Sequence, residues 1–151
     1  MAEMIYTTAT IGGKLTRKHA QELADIIDDE FLDMYNEDTT INMILAAAKE
    51  GKSLVVAGNV NYGEPDETRN YLERKRMPHV VTYCAGGEFN AAGYAYRNGK
   101  TISFDADDSG RPVVTVQGLK KAEAEGKTLK KVLKEIEACQ HEKVPAIVLK
   151  D

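Results

Sequence analysis

Residues 54–84 read LVVAGNVNYGEPDETRNYLERKRMPHVVTYC. The apolar run 54–57 suits a buried strand, and the Asn- and Gly-bearing residues 59–63 suit a loop. Pro65 fits the first position of a helix, with Asp66 and Glu67 beside it and Arg74, Lys75 and Arg76 at its end. Acid at the start and base at the end both complement the helix dipole. Pro78 stops the helix, and 79–84 return to strand. The stretch is therefore strand, loop, helix, strand.

Upstream, residues 3–11 carry Ile5, Tyr6, Thr7, Thr8, Thr10 and Ile11, which suit a strand, and Gly12-Gly13 ends it. Thr16 is placed to cap a long helix in which Ala20, Leu23, Ile27, Phe31 and Met34 form one apolar stripe. Thr39 or Thr40 caps a second helix with Ile41, Ile44, Leu45 and Ala48 inward, and Gly51 ends it.

Downstream, 86–92 read as loop. Tyr94-Ala95-Tyr96-Arg97, then Asn98-Gly99, then 100–104 read as a type I′ hairpin. Asp107 to Gly110 is another turn, and 112–116 pair back, giving a three-stranded meander. A short helix fits 119–125. Thr128 caps a last helix with Leu129, Val132, Leu133 and Ile136 inward. Residues 144–149 suit an edge strand or a docked tail, because Pro145 disfavours a central strand. The expectation is one α+β domain over 1–151: a mainly antiparallel sheet with a meander and helices packed on it.

Composition narrows the function classes. At 151 residues, 42% hydrophobic and 29% charged, the chain can bury a core and is not disordered. No run approaches a membrane span, and the N-terminal residues lack the basic and apolar regions of a secretory leader. Cys84 and Cys139 make no disulfide framework, which points to a reducing, cytoplasmic setting; Cys84 reads as a small buried hydrophobe. A net charge of −4 argues against a general nucleic-acid binder.

The acidic stretch is the most unusual feature. No Lys, Arg or His occurs between His19 and Lys49, while Glu22, Asp25, Asp28, Asp29, Glu30, Asp33, Glu37 and Asp38 do. Such a face would steer a basic partner. The plain alternative is a solvated helix face. A second candidate is the group Asn59, Asn61, Tyr62, Glu64, Glu88 and Phe89, with sheet tyrosines Tyr83, Tyr94 and Tyr96. If the strands flanking the helix of 54–84 are adjacent and parallel, the loops after them share one rim of the sheet and form a pocket or interface. If they are adjacent and antiparallel, the loops lie at opposite ends.

Other motifs carry less. Gly12-Gly13-Lys14 lies between a strand and a helix, where an anion could bind, but it is not a P-loop. Asp105 to Gly110 resembles half of a calcium loop, yet its twelfth position is Val116, so it reads as a turn. His79 and Cys84, five apart on one strand, face opposite sides. No zinc or hydrolase signature occurs, and no cofactor or metal is expected.

Tyr62-Gly63-Glu64-Pro65-Asp66, Tyr94, Tyr96 and Val144-Pro145, in that order, resemble a pattern in small accessory proteins of phages and integrative mobile elements. That pattern covers about the last two-thirds of the chain. The resemblance implies an accessory protein of a mobile element and brings no catalytic residues with it. The reading favoured is a non-enzymatic interaction protein, inhibitory or accessory, that binds a basic protein partner through the acidic helix, the tyrosine-bearing loops, or both. The alternatives are a small-ligand protein for a nucleotide-like anion and an enzyme without a recognisable motif.

Overall fold

A computed structural model describes residues 3–86 and 90–150. They form β1 (Met4–Ile11), β2 (Gly13–Leu15), α1 (Arg17–Glu30), α2 (Thr40–Glu50), β3 (Leu54–Asn61), α3 (Asp66–Arg74), β4 (His79–Tyr83), β5 (Ala92–Arg97), β6 (Lys100–Ala106), β7 (Pro112–Val113), α4 (Val116–Ala124), α5 (Leu129–Ala138) and β8 (Ile147–Leu149). Six strands make one antiparallel sheet in the order β3-β1-β4-β5-β6-β7. The fold is α+β, and β5–β6–β7 is the expected meander. Asn98 and Gly99 take φ of 54° and 78°, the left-handed pair that a type I′ turn requires.

β3 and β4 are parallel and yet not neighbours. Each pairs antiparallel with β1, which lies between them. Ile5, Ala9 and Ile11 of β1 share one face with Val56 and Val60 of β3 and Val81 of β4. Against that face lie Ala20, Leu23, Ala24 and Ile27 of α1, Ile44 of α2 and Leu72 of α3. Leu23 and Ile27 are fully buried, each contributing about 1.5–3 kcal/mol of apolar burial. On the opposite face Val80, Ala95 and Phe104 pack with Cys139, just past α5.

Local sequence sets the helix starts. The hydroxyls of Thr16, Thr39 and Thr128 accept from the N–H groups of His19, Asn42 and Lys131, and Thr115 does the same for Gly118. Each such cap is worth about 1 kcal/mol.

Several boundaries differ from the sequence reading. α1 stops at Glu30, and the apolar stripe continues through Phe31 in extended chain. Leu32 there exchanges backbone hydrogen bonds with Asn59 at 2.9 and 2.7 Å, closing part of the outer edge of β3. β3 runs on to Asn61, because Val60 keeps the inward alternation while the asparagines face outward. β7 has only two residues, and α4 begins at Val116, because Thr115 caps a helix. Gly13 does not simply end a strand: it opens β2, which pairs in parallel with β8. Cys84 is exposed, one residue past the end of β4, and Cys139 is buried. Among the described residues no helix is long and apolar enough to cross a membrane.

Candidate functional site

Because β3 and β4 run the same way, their C-terminal ends lie at one rim. Met4, at the start of β1, is opposite Asn61, and Thr7 is opposite Tyr83. β5 starts and β6 ends at this rim too, with Tyr83 opposite Ala92 and Ala92 opposite Asp105. The chain leaving β3 turns over the start of β1. The Tyr62 N–H donates to the Glu3 carbonyl at 2.7 Å, and Tyr62 and Gly63 take left-handed φ of 54° and 71°. A Cβ on Gly63 would stand 3.0 Å from the Tyr83 Cβ. Glycine therefore lets the loop lie directly on Tyr83 and set Glu64 and α3 above the meander.

An open cleft of about 400 Å³ results, between the first turn of α3 and strands β4–β6. Glu64 and Asp66 line one side, Ser103 and Asp105 the other, and Arg69 and Tyr94 lie between. The Arg69 guanidinium sits 4.3 Å from the Tyr94 ring centroid, and its Nε donates to Glu73 Oε1 at 3.1 Å. Among the described residues the carboxylates of Glu64, Asp66 and Asp105 make no hydrogen bond and no ion pair. The Tyr94 hydroxyl is buried and has no hydrogen-bond partner among the described residues. Its pKa is pushed far up, first by burial and then by the charges of Glu73, Asp66 and Glu30, with Arg69 opposing. Behind Tyr94 lies His79, edge-on at 5.8 Å, which stacks in turn on Tyr96 at 5.2 Å.

The site is thus an electronegative recess with a single arginine, held on a tyrosine face, among several carboxylates. Its chemistry suits a cation. No three of the described His, Cys, Asp and Glu side chains lie close enough to hold a metal ion.

Most carboxylates of the acidic stretch have work inside the molecule. Glu30 caps α3: its two oxygens accept from the Glu67 and Thr68 N–H groups at 3.0 and 2.6 Å. Asp28 accepts from the Thr40 hydroxyl at 2.5 Å, and Asp33 from Asn59 Nδ2 at 3.0 Å. Asp38 accepts from Asn42 Nδ2 and the Thr39 N–H, and these two bonds hold its pKa below the usual carboxylate range. Asp25 takes a surface bond from Gln21. Glu22, beside the Tyr71 hydroxyl, helps burial push that tyrosine up to about 12. Asp29 and Glu37 are exposed and make no such bond among the described residues.

Of the second candidate group, Glu64 lines the cleft. Asn59 and Asn61 sit in β3 rather than in a loop, and Tyr62 is half exposed at the turn. Glu88 and Phe89 fall outside the described residues. The N–H groups of Gly12 and Gly13 are spent on the Pro78 and Ala146 carbonyls. Those two donors are therefore taken, as the Glu67 and Thr68 N–H groups are at α3.

Asp66, Arg69 and Ser103 escaped the sequence reading as site residues, and Asp105 was read there as part of a turn. The Asn98-Gly99 turn pairs Arg97 with Lys100, which sets Tyr94 opposite Ser103 and Ala92 opposite Asp105. That register was available from the residues. The position of α3 above it was not.

Compared with known proteins, the chain matches no protein-family model, no curated protein and no solved structure.

Proposed function

We propose that this is a non-enzymatic interaction protein that holds a basic protein partner at the rim cleft. In this reading it is an accessory protein of a mobile element, as the resemblance of its Tyr62–Asp66 and Tyr94–Tyr96 motifs implies, and it acts in the cytoplasm, the setting that its two cysteines suggest. The observation that carries it is that Glu64, Asp66 and Asp105 line one open cleft and make no ion pair among the described residues, the Arg69 beside them being tied to Glu73. Exposed like charges gathered in this way are unfavourable for the free protein and favourable when an opposite charge arrives. The outward carboxylates Asp25 and Asp29 of α1 add long-range steering, which raises association rate more than affinity.

The test is fluorescence anisotropy with a labelled basic peptide of mixed Arg and Lys, at low and high salt. The wild type is expected to bind it, more weakly as salt rises. Glu64→Gln/Asp66→Asn/Asp105→Asn should abolish binding, and Asp25→Asn/Asp29→Asn should chiefly slow association. Unchanged, salt-insensitive binding by the cleft variant would defeat the reading.

The nucleotide-like anion reading is less well supported. Glu30 occupies the N-terminus of α3, and the Gly12-Gly13 donors are engaged internally.

A further inference from the structure

We propose that two copies of this chain associate about a two-fold axis, the α4–α5 hairpin of each seated on the bare β1–β3 sheet face of the other. Two apolar surfaces on the same side of one sheet carry this inference. The first is the sheet itself. Its outer face is covered over β4–β6, where Val80, Ala95 and Phe104 pack with Cys139. The register continues that face across β1 and β3. Thr10 is opposite Val80 and Val55, Thr8 is opposite Thr82 and Ala57, and Tyr6 is opposite Asn59, which bridges to Leu32. On this part of the face Met4, Tyr6, Leu32 and Val55 are 42%, 53%, 47% and 51% exposed. Outward positions of a sheet that meets water are ordinarily polar, and apolar residues grouped in this way mark an interface.

The second is the hairpin. Cys139, just past α5, and Ile102, which shares a groove with Lys131 and Ala138, place it on the outer side of the sheet, beside the bare strands. α4 buries no residue and α5 only Val132, although the two helices share a groove lined by Gly118, Ala122, Val132 and Ile136. Helices this short draw their stability from a packed apolar face. Val116, Leu119, Leu129 and Leu133 nevertheless remain exposed.

Charge selects a second copy as the occupant. Residues 111–151 carry nine Lys and Arg against six Asp and Glu, whereas residues 1–110 carry eleven against eighteen. Lys120, Lys121, Lys130, Lys131 and Lys134 of the hairpin are exposed and make no ion pair among the described residues. Beside Leu32 the chain runs on through Asp33, Glu37 and Asp38 without a base. A basic ridge with apolar residues therefore complements an apolar face with an acidic border, and a two-fold axis makes the same contact twice.

Analytical ultracentrifugation of the full chain tests this. The mass should rise from one chain toward two between about 1 and 500 μM, with tighter association at low salt. Leu129→Gln/Leu133→Gln alters the ridge and keeps helix propensity, and Tyr6→Thr/Val55→Thr alters the sheet face and keeps strand propensity. Each double variant should weaken self-association at least about thirtyfold and keep the circular-dichroism spectrum of the wild type. Mixed in equal amounts, the two variants should pair with each other more tightly than either pairs with itself, because one intact ridge then meets one intact face. Undiminished association of the sheet variant would mean that ridge meets ridge, and of the ridge variant that face meets face; either result overturns the proposal. A wild type that stays monomeric across this range overturns it as well, and co-sedimentation of that monomer with phosphatidylserine vesicles would assign the hairpin to a lipid surface instead.

Discussion

The Arg69 guanidinium lies over the ring of Tyr94, 4.3 Å from its centroid, and joins α3 to β5 through the one cation in the cleft. Tyr94 meets the edge of His79, and His79 stacks on Tyr96. A column of four side chains thus runs from a half-exposed charge through a fully buried imidazole to the ring of Tyr96. Two of its polar atoms, Tyr94 Oη and His79 Nε2, have no hydrogen-bond partner among the described residues.

Removing one of them should not harm the free protein. Tyr94→Phe deletes the unpaired hydroxyl and keeps the ring under Arg69. Urea denaturation is expected to show equal stability or a gain of about 1 kcal/mol. A loss of more than that would mean that the hydroxyl is satisfied in solution.

His79 ties stability to pH. Burial lowers its pKa, against the opposing effects of the Met77 carbonyl and Glu73, with Arg69 adding to the lowering. In the unfolded chain the imidazole takes up a proton near pH 6.5. Above that pH both states are neutral there and stability is full. As pH falls below it, the unfolded state binds more protons, and stability drops until the folded pKa is reached. The slope contributed approaches about 1.4 kcal/mol per pH unit. Melting curves between pH 7 and 5 should lose this component in His79→Phe, which keeps an aromatic ring between Tyr94 and Tyr96. An identical pH dependence in wild type and variant would refute it.

Glu30 and Asp29 are neighbours with different duties. Glu30→Gln weakens two charge-assisted bonds to the N-terminus of α3 and should cost about 1–2 kcal/mol. Hydrogen exchange should show the Glu67 and Thr68 amides losing protection. Asp29→Asn should change stability by less than about 0.5 kcal/mol. The reverse order would show that Glu30 does not hold α3.

The C-terminal ribbon depends on Gly12. A Cβ there would stand 1.9 Å from the Pro145 carbonyl oxygen, so Gly12→Ala must displace the segment that leads into β8. The expected penalty is about 1–3 kcal/mol. Limited proteolysis should cut near Lys143 sooner than in wild type. Equal protection would mean that β2 and β8 adapt together.

Much of the fold was legible because its signals are local. The threonine caps and the Asn98-Gly99 turn each depend on a few adjacent residues and stand where the sequence placed them, and the helix expected to start at Pro65 starts one residue later, at Asp66. Strand order is non-local. Nothing in 54–84 announces that residues 4–11 lie between its two strands. The rim was foreseen as one alternative, and it arises here by a different arrangement. The acidic run lies at the surface, as its residues suggest, but its internal bonds are non-local: Glu30, Asp28 and Asp33 find partners on α3, α2 and β3, as far as 38 residues along the chain. The cleft itself needed α3 above β6, a relation between residues about 40 apart that periodicity does not encode.

Amide chemical-shift mapping with an alternating Gly–Arg hexapeptide tests the central claim most directly. Addition to the isotope-labelled chain should shift residues 63–69, 92–94 and 103–105, and leave the outward face of α1 and the α4–α5 pair unmoved. Shifts concentrated on α1, on α4 and α5, or nowhere at saturating peptide would contradict the assignment of the rim cleft as the binding site.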